Sequence, residues 1–188
     1  MNKTYKMILC ALFAALAAIG AFIKIPTPLV PITLQLLFTL MAGIILGSKL
    51  GAISVGSYVL IGLLGIPVFT GGGGPSYVLQ TSFGYILGFV LGAFVAGLIA
   101  EKGKPTFVRF LIASLAGLLA VYMIGVPYCY FISKLYLKKE VAVGALVLNG
   151  FLIFLPGDIL KCVICAFLGK RLVPIVRKRL AKKTANPA

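Results

Sequence analysis

The segment FLPGDILKCVICAFLG (154–169) carries an aspartate and a lysine three residues apart inside an otherwise apolar run. The chain has three acidic residues. Glu101 and Glu140 lie beside lysines in polar breaks, so Asp158 is the one carboxylate in an apolar segment. An i, i+3 spacing puts Asp158 and Lys161 on one face of a helix, where each offsets the other's burial. Apolar residues usually do as well as a buried ion pair for stability alone, and ionisable groups inside a membrane are expensive. The pair therefore points to a site that handles a ligand or an ion.

Other chemistries lack their residues. The chain has no histidine, which removes the usual general base and most metal sites. No G-x-x-x-x-G-K-[ST] loop is present, so the chain carries no ATPase of its own, and there is no G-x-S-x-G elbow. Cys162 and Cys165 form a C-x-x-C, but without histidine or a second pair they read as small core residues rather than metal ligands. The expectation is a protein that is not an enzyme and that has no metal and no cofactor.

The elements that must position Asp158 and Lys161 follow from composition. Of 188 residues, 61% are hydrophobic, and they are spread over almost the whole chain instead of being gathered into one core. This predicts an all-α polytopic membrane protein, a single integral membrane domain over 1–188, since crossing the hydrocarbon takes about 20 helical residues. Six apolar runs qualify: 7–23, 33–47, 50–66, 82–100, 107–131 and 141–169. The first is long for a signal peptide and is followed by further apolar runs, so it reads as a retained span. The short second and third runs, joined by GSKLG, predict a tight helical hairpin. The last is too long for one helix, and NGFLIFLPGDILK marks an interruption or a start outside the bilayer. Thirteen lysines and arginines fall on the side of the termini and four on the other, which puts both termini in the cytoplasm. A net charge of +15 distributed in this way marks membrane topology, and no nucleic-acid partner is expected.

Two connections on the far side, KIPTPLVPIT and IPVFTGGGGPSYVLQT, are almost uncharged and rich in proline, glycine and aromatics. Irregular backbone at membrane depth is tolerated where it lines a cavity. These loops are expected to fold back over the bundle and close a pocket, with the four glycines allowing close backbone approach to a ligand.

In order, PITLQ (31–35), GIPVFTGGGGPSYVL (65–79), TSFGYILGF (81–89) and LPGDILK (155–161) resemble the BioY family, the biotin-binding membrane subunits (S-components) of energy-coupling factor (ECF) transporters. The resemblance covers essentially the whole chain; residues 80–83 depart from the family pattern. It implies a six-helix S-component in a prokaryotic plasma membrane, taking up biotin with a transmembrane coupling protein and two ATP-binding subunits. It also implies a small-residue A-x-x-x-A strip on the first helix against the coupling protein, which Ala11, Ala14, Ala15 and Ala18 supply. Small residues four apart let helices approach closely in a bilayer.

Biotin has two ureido N–H donors and a carbonyl, an apolar bicycle and chain, and a carboxylate. Such a ligand requires an apolar cavity with a few placed polar groups. Asp158 is the carboxylate available to accept the ureido N–H groups. Lys161 is available to the ligand carboxylate or to the ureido oxygen, and spacing leaves both open. Gln35, Tyr77 and Tyr85 are expected polar contacts, Phe69, Tyr77 and Tyr85 apolar walls, and Gly71, Gly72, Gly73 and Gly74 a backbone cap. The competing readings are an autonomous carrier, proton-coupled through Asp158 or facilitative, an S-component for another small vitamin, and a membrane scaffold without a ligand in which PGDILK only packs helices.

Overall fold

The computed structural model describes residues 3–27, 30–138, 144 and 148–182, without the side chains of 149 and 177–182. It is mostly helical. Helix α1 (Lys3–Phe22) leads into a two-stranded antiparallel ribbon of β1 (Lys24–Ile25) and β2 (Ile32–Thr33), in which Lys24 pairs with Thr33 and Ile25 with Ile32. Then follow α2 (Gln35–Leu46), α3 (Ser48–Leu63), a 3-10 turn (Pro75–Leu79), α4 (Phe83–Glu101) and α5 (Phe107–Phe131). A π-turn at Ile132–Tyr136 extends α5, and a second π-turn at Leu148–Leu152 precedes α6 (Leu155–Lys182).

Among the described residues, four elements are long and apolar enough to cross a membrane: Lys3–Phe22, Phe83–Glu101, Phe107–Tyr136 and Gly150–Val176. The runs expected as second and third spans form helices of 12 and 16 residues, about 18 and 24 Å long at 1.5 Å per residue, against roughly 30 Å of hydrocarbon. Packing explains why α2 is short. Among the described residues it touches five other helices, and nine of its residues, from Gln35 to Ile45, are buried. Protein rather than lipid surrounds it, so its ends meet other polar groups and its length does not have to match the bilayer.

The expected tight hairpin is a one-residue link. Gly47, with φ 89°, joins α2 to α3. A Cβ there would lie 2.0 Å from Glu101 Oε1. That carboxylate caps α3 from the end of α4, accepting the Ser48 amide at 2.8 Å and the Ser48 hydroxyl at 3.1 Å. The positive end of the α3 dipole favours an acidic partner at this place. Helices α4 and α5 pack closely at glycines; a Cβ on Gly88 would come within 2.7 Å of the Val121 carbonyl oxygen and one on Gly92 within 2.9 Å of that of Gly117.

The outer faces carry long apolar stripes. Val108, Ile112, Leu115, Leu119 and Met123 recur at helical spacing along α5 and are all exposed, as suits contact with lipid rather than water. The final run differs from its expected extent of 141–169. Residues 141–143 and 145–147 lie outside those described, the interruption at NGFLIFLPG is the second π-turn, and α6 continues from Leu155 through the basic tail to Lys182. Proline and glycine at 156 and 157 open a new helix here, since proline is accepted in a first turn, where its missing N–H is not needed.

Candidate functional site

Helix α6 begins just before the charged pair. Asp158 lies in its first turn, where the helix dipole favours a carboxylate, and Lys161 follows one turn on. Both are 7% exposed, and Lys161 Nζ donates to Asp158 Oδ1 at 2.7 Å. A third residue completes the group: the Tyr122 hydroxyl, from α5, donates to Asp158 Oδ2 at 2.6 Å. Asp158 thus has a donor on each oxygen. Lys161 brings three N–H donors, of which one is used by Asp158 among the described residues.

The pair lines a cavity of about 50 Å³ enclosed by the ribbon, α2, α4, α5 and α6. Val30, Pro31 and Thr33 of the ribbon segment form one side, and Gln35 and Leu36 the start of α2. Tyr85, Ile86 and Phe89 come from α4, Val121 and Tyr122 from α5, and Phe154 stands before α6. Thr70 and Ser82 complete the lining. The polar groups form two clusters across apolar walls. Asp158, Lys161 and Tyr122 make the first, while Thr33, Gln35, Thr70 and Ser82 make the second. In the second, the Thr33 hydroxyl donates to Gln35 Oε1 at 3.1 Å, and Gln35 Nε2 donates to the Tyr58 hydroxyl at 2.6 Å.

The chain matches the family model described as "BioY family" over residues 1–178. It belongs to the BioY family. It is 42% identical over 183 residues, 97% of this chain and 93% of the relative, to "Probable biotin transporter BioY" of Lysinibacillus sphaericus. It is 39% identical to "Biotin transporter BioY" of Thermotoga maritima, over 89% of this chain and 95% of that one. Among solved structures it resembles the S-component for biotin from an ECF-type ABC transporter, with a TM-score of 0.76, 31% identity, and coverage of 92% of this chain and 94% of the other. These relatives are transporters and not enzymes, in agreement with the non-catalytic reading.

Against this BioY fold, Asp158, Lys161, Gln35 and Tyr85 converge on one cavity. The ribbon segment expected to cover a pocket does form one side of it, with Val30 only 6% exposed. Tyr85 contributes its ring. Its hydroxyl is turned away to donate to the Gly150 carbonyl at 2.7 Å, so it serves as a wall and a brace for the second π-turn, not as the expected polar contact.

Phe69, Tyr77 and Gly71 to Gly74 do not line this cavity. Phe69 is 1% exposed and seals the end of α3 over Gly62, where a Cβ would meet its ring at 2.1 Å. It packs against Tyr58, Tyr77 and Phe83. The glycines fold the loop on itself. Phe69 and Gly72 form an antiparallel bridge, and the Gly74 amide reaches back to the Gly62 carbonyl at 2.7 Å. The residue this turn presents to the cavity is Thr70. Tyr77 stands one layer behind, its hydroxyl 2.9 Å from the Thr70 hydroxyl and 3.3 Å from that of Ser82. Gly71, Gly73 and Tyr77 line a separate depression with Tyr136.

Ala11, Ala14, Ala15 and Ala18 share one groove of about 630 Å³ between α1 and α3, with Leu50, Ile53 and Ile61 opposite. Ala11 and Ala15 are exposed, whereas Ala14 is buried at 8%. The two helices are pinned at its edge by the Ser54 hydroxyl, which donates to the Cys10 carbonyl at 2.6 Å.

Sequence reasoning missed Tyr122, Thr33, Thr70 and Ser82. Tyr122 left a signal, since a phenol inside an apolar run needs a partner for its hydroxyl, and Asp158 is the carboxylate available there. The other three carry none, because hydroxyls near loops are common.

Proposed function

We propose that this chain is the high-affinity biotin-binding S-component of an ECF-type transporter, a single integral membrane domain of six spans in the cell membrane. The observation that carries this is the Asp158–Lys161–Tyr122 cluster, buried in a bundle of apolar helices and facing a cavity with apolar walls. Asp158 accepts the ureido N–H groups in charge-assisted bonds. Lys161 stands at the same end, so its spare N–H donors serve the ureido carbonyl. The bicycle lies among Phe89, Val121, Phe154 and the Tyr85 ring, and the carboxylate points to the polar cluster of Thr33, Thr70 and Ser82. Lys24 of β1 is near that end, because its Nζ donates to the Thr70 carbonyl at 2.6 Å.

Pockets for ligands of this size commonly measure roughly 300–1,000 Å³. The cavity, at about 50 Å³, is much smaller. Binding therefore moves part of the wall outward, and the ribbon is the part made of short strands and loop. Thirteen cationic residues on the side of both termini support a cytoplasmic location for the ends, and α2 spans as a shielded central helix. The four alanines fit the close approach of a helix of the transmembrane coupling protein, which with two ATP-binding subunits supplies the energy.

Titration of the detergent-purified chain with biotin tests the reading. Tight, saturable binding at one site per chain is expected. Absence of binding in a folded sample sinks the biotin assignment and leaves the S-component reading for another vitamin to be tested in the same way. Uptake that persists in a host without any coupling module, and that collapses with the proton gradient, supports the autonomous carrier instead.

A further inference from the structure

Tyr58 of α3 stands between the polar cavity and the α1/α3 groove. It is 1% exposed, and it lines the groove together with Ile61 and Val68. Its hydroxyl accepts from Gln35 Nε2 at 2.6 Å and donates to the Val68 carbonyl at 3.2 Å. Gln35 belongs to the wall of the polar cavity, and so does Thr33, which donates to it. The hydrogen-bonded chain Thr33–Gln35–Tyr58–Val68 therefore begins in the wall of one cavity and ends in the wall of the other. Phe69 holds the Tyr58 ring edge-on, with centroids 5.4 Å apart at 86°. For packing alone a phenylalanine would serve at this position. The hydroxyl adds two bonds to two elements that are otherwise separate, the start of α2 and the loop after α3.

We infer that Tyr58 is a positioning residue that carries the occupancy of the polar cavity to the α1/α3 groove. The inference rests on the reading of that cavity as the biotin site. Gln35 is the donor both to Tyr58 and, once ligand is present, to the polar end of the ligand. The amide holds its two N–H donors in one rigid plane, so turning that plane towards the ligand misaligns the N–H that Tyr58 accepts. Tyr58 is then held by Val68 alone, and these two residues, both in the groove wall, move relative to Gln35. The two states differ in a named contact, Gln35 to Tyr58 or Gln35 to ligand, which is what a coupling between two sites requires. Linkage is reciprocal, so a partner that fills the groove changes biotin affinity through the same bond.

A nitroxide in the groove reads this directly in the isolated full chain. Cys129, Cys162 and Cys165 are buried, so Cys10→Ser removes the one cysteine that is not. Ile61→Cys then places the label in the groove, one turn from Tyr58. Biotin binding is measured separately on the same samples by titration. In the Tyr58 protein, saturating biotin is expected to change the label's mobility. In Tyr58→Phe that change is lost, while biotin still binds within about tenfold of the parent affinity, as suits the loss of one indirect hydrogen bond. A biotin response that persists in Tyr58→Phe overturns the inference, as does a Tyr58 protein that binds biotin and shows no change at the label. A labelled parent that fails to bind biotin overturns the site reading itself, and this one with it. Should Tyr58→Phe not fold, Tyr58→Met removes the same hydroxyl and keeps an apolar side chain of similar length. At saturating biotin its label is expected to be silent, and a response equal to the parent's overturns the inference.

Discussion

Replacing Asp158 with asparagine keeps the shape of the side chain and removes its charge, with two separable consequences. Asp158 and Lys161 are each 7% exposed and 2.7 Å apart, and Tyr122 holds the second carboxylate oxygen at 2.6 Å. Asparagine leaves Lys161 as a buried cation without its counter-charge. Breaking one side of a buried pair typically costs about 3–5 kcal/mol of stability. Adding Lys161→Met removes the orphaned charge, so the double variant should recover most of that loss. Biotin affinity responds differently. A charge-assisted bond from the ureido group is worth about 1–3 kcal/mol, or about 5- to 150-fold in Kd at 1.4 kcal/mol per decade. The double variant restores no carboxylate and also lacks the Lys161 donor, so it should bind no better than Asp158→Asn. Thermal unfolding in detergent reads the first effect and biotin titration the second. If Asp158→Asn binds biotin like the parent while folded, the carboxylate is not a ligand contact. If Lys161→Met restores no stability, the pair is not a mutually compensating buried couple.

Biotin amidated at its carboxylate should bind within about tenfold of biotin, because Lys161 is assigned to the ureido end and the carboxylate end meets hydroxyls and the exposed Lys24 ammonium; a loss beyond a hundredfold that is unchanged in Lys24→Met moves the carboxylate to Lys161. Lys24→Met removes the bond from the ribbon to the Thr70 carbonyl, and it should speed biotin dissociation several-fold with a smaller effect on association; unchanged dissociation in stopped-flow release means that the ribbon does not gate the cavity. Tryptophan at Ala11 and Ala15, the exposed pair in the α1/α3 groove, should still bind biotin, with a change in Kd of no more than about tenfold through the groove's coupling to the cavity, but should abolish co-purification with a coupling module and ATP-dependent uptake. Normal assembly of that variant would place the coupling surface elsewhere.

The sequence by itself determined the class of protein and the pairing of its buried charges. Apolar runs separated by basic breaks place helices with good accuracy because desolvation of charge in hydrocarbon is a large, local cost. The same cost makes Asp158 and Lys161 stand out, and their spacing alone pairs them on one helix face. The tertiary structure decided which neighbours join them. Tyr122 is 36 residues from Asp158, and only the packing of α5 against α6 brings its hydroxyl to the carboxylate. The glycine run reads as a ligand cap because flexibility is legible in sequence and direction is not. The fold spends those glycines on a turn and presents Thr70 instead. The run 33–47 reads in sequence as a short span of the bilayer, whereas in the structure α2 is 12 residues long and touches five other described helices. Composition reports how each segment meets solvent or lipid, and contacts between distant segments are settled only when all the helices pack at once.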